Sequence, residues 1–357
     1  MNQKSSTKRR NSSSRGKLSG RRWRVAFMAL VAVILVGAAT AWWLGAKVWN
    51  KYDGEKPVRI YLPEGSDAQT LADTLSVRLG AFGKDVYSLW KLRCGDEDRL
   101  HGSYVIKPGD RAWSVTNRLR TGTQTPVKVT FNNVRTLGEL ADIVSRHLEF
   151  DSTSFMLAMD TVLHHRHLHR AEYPAAFLPD TYEFYWTATP HHVVSKMLEV
   201  RDEFWDSLRL AKADNLFLTP VQITTIASIV EEETAKKDER PLVARLYINR
   251  LNNNMKLQAD PTVKFAVGDF SLKRITGKQL AVNSPYNTYK YFGLPPGPIR
   301  IPERATIDAV LDAPEHDWLY MCAKEDFSGY HNFATNFSEH QANARRYQSE
   351  LNRLNIN

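Results

Sequence analysis

Two cysteines in 357 residues are too few for a disulfide-built scaffold. Cys94 and Cys322 stand far apart and form no metal-site pattern; a disulfide and two free thiols are both open. Acidic residues are missing from positions 1–24, which hold nine Lys or Arg. Taking those nine from the 48 basic residues leaves 39, matched by 39 acidic ones, so the net charge of +9 belongs to a tail. The body of the chain has no excess of positive charge, and nucleic acid is not an expected partner. Charge is missing again from Val25 to Leu44, twenty residues that read VAFMALVAVILVGAATAWWL. A helix of that length rises about 30 Å, the thickness of a bilayer's hydrocarbon core.

Trp23, Trp42 and Trp43 stand at the ends of this span, where interfacial aromatics belong. The excess of positive charge before it predicts a cytoplasmic N-terminus and an extracytoplasmic body, held by a single pass in the cytoplasmic membrane. Ala39-Thr40-Ala41 has the spacing of a signal-peptide cleavage site, but the apolar run continues through Trp42, Trp43 and Leu44, which favours an uncleaved anchor. With 43% hydrophobic and 24% charged residues the rest is foldable, and its length suggests two or three domains.

Beyond a polar linker, 45–56, the chain repeats one theme. VRIYLPEG (Val58 to Gly65) alternates like a strand, and Ser66 or Asp67 caps a helix with Leu71, Leu75 and Leu79 on one face, ended by Gly80. GSYVIKPG (Gly102 to Gly109) is a second strand, before a helix that turns Trp113, Val115 and Leu119 inward and stops at Gly122. VKVTFNN (Val127 to Asn133) and TLGELADIVSRHL make a third such unit. These units predict an α+β fold, with small modules near the membrane and a mixed helix/strand domain beyond. TVLHHRHLHR (161–170) holds four histidines without a Cys or acid among them, the composition of a solvated helix face rather than a metal site. From Pro190 the pattern is helical, including a long stretch from Thr219 to Arg250. DWLYMCAKEDFSGYHNF then reads as two strands around an acidic turn.

Three consecutive glutamates interrupt the long stretch in ASIVEEETAKKDER (Ala227 to Arg240). Thr219 and Pro220 open the helix as cap and first residue. At about 100° per residue, Ile223, Ala227, Val230 and Thr234 share one face, extended by Ile226 and Ile229. Glu232 falls opposite and is expected in solvent. Glu231 and Glu233 border the apolar stripe on either edge, where lost solvation raises a carboxyl pKa and suits it to donate a proton. Ordinary pairing of either acid with Lys236, Lys237 or Arg240 is the plainer reading, and the periodicity does not choose between them.

Five words, ASIVEEET itself and then INRL, LQADPTV, SPYNTYKYFGLPPGPI and GYHNFATNFSEH, occur in this order from Ala227 to His340. Together they resemble the YceG/MltG-like family of membrane-anchored endolytic murein transglycosylases. FLPDTYEF (Phe177 to Phe184) resembles the family's approach to its catalytic domain, and residues 57–125 resemble its LysM-like module. The resemblance implies a catalytic domain over 126–357 that cleaves MurNAc–GlcNAc bonds inside glycan strands and leaves 1,6-anhydro-MurNAc ends. It implies peptidoglycan as partner, cell-wall synthases as associates, and neither metal nor cofactor. Carried over by motif, Glu231 is the catalytic acid, with Glu233 in support. Glu232 departs from relatives that carry a lysine there. Gln258 and Asp260, then Tyr286, Asn287, Thr288 and Tyr289, are suited to a sugar groove by their hydrogen-bonding groups and aromatic faces. Gly293 to Gly297 form either a groove wall or a structural turn, and His331 and Asn336 are expected near the cleft. Two rival readings use the same residues: a non-catalytic glycan-binding scaffold, and a hydrolytic muramidase with Asp260 as its second carboxylate.

Overall fold

A computed structural model describes residues 16–95, 100–272 and 274–354, with side chains from Arg22 on. These residues form two compact units that divide after Thr125. The first opens with α1 (Gly16–Trp49), which contains a stretch, Arg22–Trp49, long and apolar enough to cross a membrane. After it come β1 (Val58–Ser66), α2 (Ala68–Cys94), β2 (Leu100–Ile106) and α3 (Ala112–Thr121). β1 and β2 pair antiparallel from Val58↔Ile106 to Leu62↔Gly102, and the register shifts before Ser66↔Leu100. Pro63, which has no N–H to give a ladder, stands at that shift.

Asp67 caps α2 by accepting from the Thr70 N–H, and Leu71, Leu75 and Leu79 are buried as their spacing requires. The helix breaks at Gly80, as expected, but the chain does not leave helix there for long. That residue takes φ 57°, which glycine allows, and the chain resumes helix to bury Phe82, Val86, Leu89 and Trp90. Trp113 is not inward either; it is 39% exposed, with the Arg93 guanidinium 4.3 Å above its ring. The expected linker is shorter than 45–56. α1 runs to Trp49, and Leu44, Val48 and Tyr52 pack on the core of this unit.

In the second unit, β3 (Val127–Phe131) pairs antiparallel with β4 (Asp180–Phe184), from Val127↔Phe184 to Phe131↔Asp180. The third strand–helix motif of the sequence therefore does not repeat the first two, because its strand finds a partner far along the chain. Val127, Val129 and Phe131 alternate inward and meet α4 (Leu137–Ser145), α5 (Ser152–His165), a 3₁₀ turn (Arg170–Ala176) and α6 (Pro190–Phe204) in one core. His164, His165, His167 and His169 are exposed at the end of α5 and beyond it. Among the described residues no group of three His, Cys, Asp or Glu could hold a metal ion.

A second core lies among α7 (Ser207–Asn215), α8 (Pro220–Glu233), α9 (Arg240–Asn252) and α12 (Arg304–Leu311). α10 (Asp260–Val267) and α11 (Gly277–Leu280) precede α12. A hairpin, β5 (Tyr320–Ala323) with β6 (His331–Ala334), and α13 (Phe337–Arg353) complete the unit. α8 begins at the Thr219 cap, whose hydroxyl accepts from the Gln222 N–H while Gln222 reaches back to the Thr219 N–H. The Pro295–Gly297 segment passes against the 3₁₀ turn. A methyl group on Gly297 would stand 1.9 Å from the Ala171 carbonyl oxygen, so this approach excludes any other residue. Gly297→Ala is expected to lower stability by about 1–3 kcal/mol through forced backbone displacement. Urea unfolding checks this, and an unchanged midpoint would show the approach to be slack.

Candidate functional site

The long helical pattern from Thr219 to Arg250 is two helices. α8 stops at Glu233, and Thr234 is extended at φ −136°, ψ 132°. Its hydroxyl accepts from the Lys236 N–H at 3.0 Å and donates to Glu239 at 2.9 Å, which gives the chain a local alternative to another helical turn. α9 then starts with Pro241 in its first turn. The three glutamates all stand on the last turn of α8, where successive side chains point about 100° apart.

Glu231 points into the protein. Its side chain is 4% exposed. It accepts from the Glu303 N–H at 2.8 Å and the Thr306 hydroxyl at 2.6 Å, and it pairs with Arg300 at 3.0 Å. Arg240 lies 3.8 Å away. Glu232 is not in free solvent. It accepts from Arg300 at 2.6 Å and from Arg135 at 3.2 Å. The helix wheel failed here because α8 is buried nearly all round, from Ile223 to Glu231, and has no polar face.

Glu233 alone of the three lines a cleft, of about 230 Å³, together with Leu246, Tyr247, Arg250, Leu257, Gln258, Asp260, Tyr289, Met321, Cys322, Ala323 and His331. Its carboxyl accepts from the Tyr247 hydroxyl at 2.8 Å. Burial pushes its pKa up to about 7. The Tyr247 hydrogen bond opposes that rise, and the negative charge of Asp260 adds to it. The Tyr247 phenol is itself pushed well above its ordinary range, first by burial and then by Glu233, so it remains a donor.

The other walls are fixed by their own bonds. Arg250 gives its guanidinium to three backbone carbonyls, those of Leu319 at 2.6 Å, Leu257 at 2.9 Å and Lys256 at 3.1 Å. It thereby ties the hairpin to the segment before α10. Asp260 opens α10 and accepts from the Tyr289 hydroxyl at 2.5 Å. Gln258 holds φ 51°, a left-handed backbone that a non-glycine residue adopts only under constraint. The Thr288 carbonyl, which takes the Gln258 N–H at 3.2 Å, belongs to that constraint. On the hairpin, the His331 Nδ1 is 2.8 Å from buried Glu239, which also accepts the His331 N–H at 2.7 Å. These two contacts to one carboxyl fix the orientation of the ring.

Of the sequence-chosen residues, Glu233, Gln258, Asp260, Tyr289 and His331 converge on the cleft. Glu231 does not line it. Asn287 is fully buried and holds its own loop, donating to the Leu280 and Val282 carbonyls at 2.9 Å each. Thr288 is buried too and bonds the Ala259 N–H and the Thr262 hydroxyl. Tyr286 packs its ring 4.7 Å from that of Phe265. Asn336 caps α13 by accepting from the Glu339 N–H. These residues shape the loops behind the site. Tyr247 and Arg250 were not singled out from sequence. Their signal was a Tyr and an Arg three apart, hence on one face of a helix with a largely apolar surround. Both cysteines are free thiols, and burial raises that of Cys322 in the cleft wall.

A carboxyl with a pKa near 7, a second carboxyl with a tyrosine partner, and a fixed imidazole thus stand around one polar cleft. Residues 60–346 match the YceG-like family, and the chain belongs to it. It is 25% identical over 319 residues to the "Endolytic murein transglycosylase" of Bacillus subtilis, covering 84% of this chain and 87% of that one. It is 34% identical over 179 residues to the protein of the same name from Streptococcus pneumoniae strain R6, covering 49% of this chain and 32% of the relative. The solved structure of a putative yceG-like protein from Listeria monocytogenes has the same fold, with a TM-score of 0.54 at 23% identity over 81% of this chain and 99% of that one.

Proposed function

We propose that the chain is a membrane-anchored lytic transglycosylase that cuts MurNAc–GlcNAc bonds within peptidoglycan strands, with Glu233 as acid and then base. Family membership and the names of its relatives support the murein transglycosylase activity. The observation that carries the residue assignment is the placement of Glu233, the one acid of its triplet that reaches the cleft and is held near pKa 7. Glu231, which the family motif marked, is instead occupied by Arg300, Thr306 and the Glu303 N–H. The acid role therefore moves two residues along the helix.

Protonated Glu233 gives its proton to the bridging oxygen as the bond from that oxygen to MurNAc C1 breaks. The sugar becomes oxocarbenium-like. The C6 hydroxyl of the same sugar then bonds to C1, and its proton returns to the Glu233 carboxylate. One carboxyl serves both half-reactions, and no water is consumed. Tyr247 steadies the carboxylate between them. Asp260, Gln258, Tyr289 and His331 offer acceptors, donors and a ring face to sugar hydroxyls and acetamides. The strand–helix–helix–strand order of β1, broken α2 and β2 supports a LysM-like reading of the first unit. The basic tail supports a cytoplasmic N-terminus, with both units on the far side of the cytoplasmic membrane near the synthases that make the strands.

A hydrolytic reading has one observation in its favour, the presence of Asp260 in the same cleft as Glu233. A second carboxylate is what activation of water requires. Mass spectrometry of fragments released from purified peptidoglycan by the full-length protein separates the two. Anhydro-terminated fragments are expected. Reducing ends would make the enzyme a muramidase, and no release at all would leave a glycan-binding scaffold.

A further inference from the structure

The first unit carries three tryptophans that are each exposed and each capped by a cation. Lys47 lies 4.5 Å over the ring of Trp43, Arg111 4.4 Å over Trp49, and Arg93 4.3 Å over Trp113. All three pairs cluster where α1 leaves its apolar stretch. The junction there is locked rather than loose. Lys47 pairs with Asp85 of α2 at 2.8 Å and bonds Ser88 at 3.1 Å, and Asn50 donates to Asp85 at 2.8 Å. One turn back along α1, Trp43 lines a groove with Tyr87, Lys91 and Leu92 of α2. Moving toward the apolar stretch on α1 thus means moving toward the C-terminus on α2, so the two helices are antiparallel here.

This geometry has a consequence for depth. Leu92 and Arg93 lie about 10 Å further along α2 than Asp85, at roughly 1.5 Å per residue. That brings the last turn of α2 to the level of Trp43 at the end of the span. Leu92 is 67% exposed there, between Lys91 and Arg93. An exposed apolar side chain beside Trp43, at the depth where the apolar stretch ends, suits the interfacial layer in which aromatic rings settle.

We propose that the last turn of α2 is a second membrane contact, with Leu92 dipping into the interfacial layer of the bilayer that α1 crosses. The contact rests on α1 spanning the membrane, and it makes the first unit lie on the lipid surface instead of hanging from a tether. Its occupant is the lipid surface itself, because α1 continues without a break from the apolar stretch into the packed unit.

The test uses the full chain reconstituted in vesicles of phosphatidylglycerol and phosphatidylethanolamine. Nitroxide labels are placed at Leu92→Cys or Ile34→Cys in a Cys94→Ser, Cys322→Ser background. Power saturation compares collisions with oxygen, which partitions into lipid, and with a water-soluble nickel chelate. Both positions are exposed on the protein, so the labels leave the fold intact. The expected result is a ratio of oxygen to chelate collisions above unity at both sites. Oxygen dominance at position 34 with chelate dominance at 92 would overturn the second contact and leave the anchor standing. Chelate dominance at position 34 would remove the anchor, and the proposal with it.

Discussion

Glu233→Gln is expected to give a folded protein that releases no anhydro-terminated fragments from peptidoglycan. The amide keeps the shape and still accepts from Tyr247, but it has no proton to give and no carboxylate to take one back. Loss of a general acid slows a reaction by about 10²–10⁴-fold, and loss of a group that acts in both half-reactions belongs at the upper end of that range. In the parent, turnover should hold level below pH 7 and fall about tenfold per pH unit above it, because Glu233 must start protonated and its pKa is about 7. Stability should move the other way in the variant. The folded-state pKa of about 7 lies above the ordinary 4.5, so between these values the folded form binds more protons than the unfolded one. The parent therefore loses stability as pH rises from 4.5 to 7, by up to about 3 kcal/mol at 1.36 kcal/mol per pKa unit. Glu233→Gln escapes this loss and should unfold at higher denaturant than the parent at pH 8, with little difference at pH 4.5. A variant that retains turnover would end the assignment of Glu233.

Glu231→Ala is expected to do the reverse. It leaves the guanidinium of Arg300, 8% exposed, without one of its two carboxylates, and removes the acceptor of Thr306 and of the Glu303 N–H. Breaking a buried charge pair from one side costs about 3–5 kcal/mol, because the remaining charge has given up its water. Glu232 still pairs with Arg300 and Glu303 with Arg240, which places the expected loss near the lower end, about 3 kcal/mol. Urea unfolding at pH 7 measures it. The fraction that remains folded should keep a turnover within a few-fold of the parent's. A Glu231 variant of undiminished stability and no turnover would return the acid role to that residue. The two variants together separate a residue that builds the site from one that does the chemistry.

The difference between these glutamates shows where sequence reasoning stopped. A helical wheel placed both beside apolar surface, and that was sound, because period and hydrophobicity are local properties. It could not say what each apolar edge was facing. Glu231 faces Arg300 and Thr306, about seventy residues further along, and those contacts exist only once α12 packs on α8. Glu233 faces Tyr247 and the cleft only because Thr234 breaks the helix and α9 folds back. Asn287 and Asn336 show the same limit in another form. A polar side chain with free hydrogen-bonding groups reads as a ligand contact in sequence, until the structure gives those groups to backbone in a loop or a cap.

What the sequence determined by itself was whatever depends on near neighbours. The apolar stretch that can span a membrane, the caps at Asp67 and Thr219, the alternation of β3, the β5–β6 hairpin and the ordered motifs of the family were all legible. Each follows from steric preference or solvation over a few residues. Tertiary structure decided which strand β3 pairs with, that the end of α1 packs into the first unit, and which of three adjacent acids meets the cleft. Those outcomes turn on distant groups competing for the same buried space and the same charges. A carboxyl that meets two guanidiniums is tied into the packing of the helices, whereas one that is buried beside a tyrosine has its pKa pushed up to about 7.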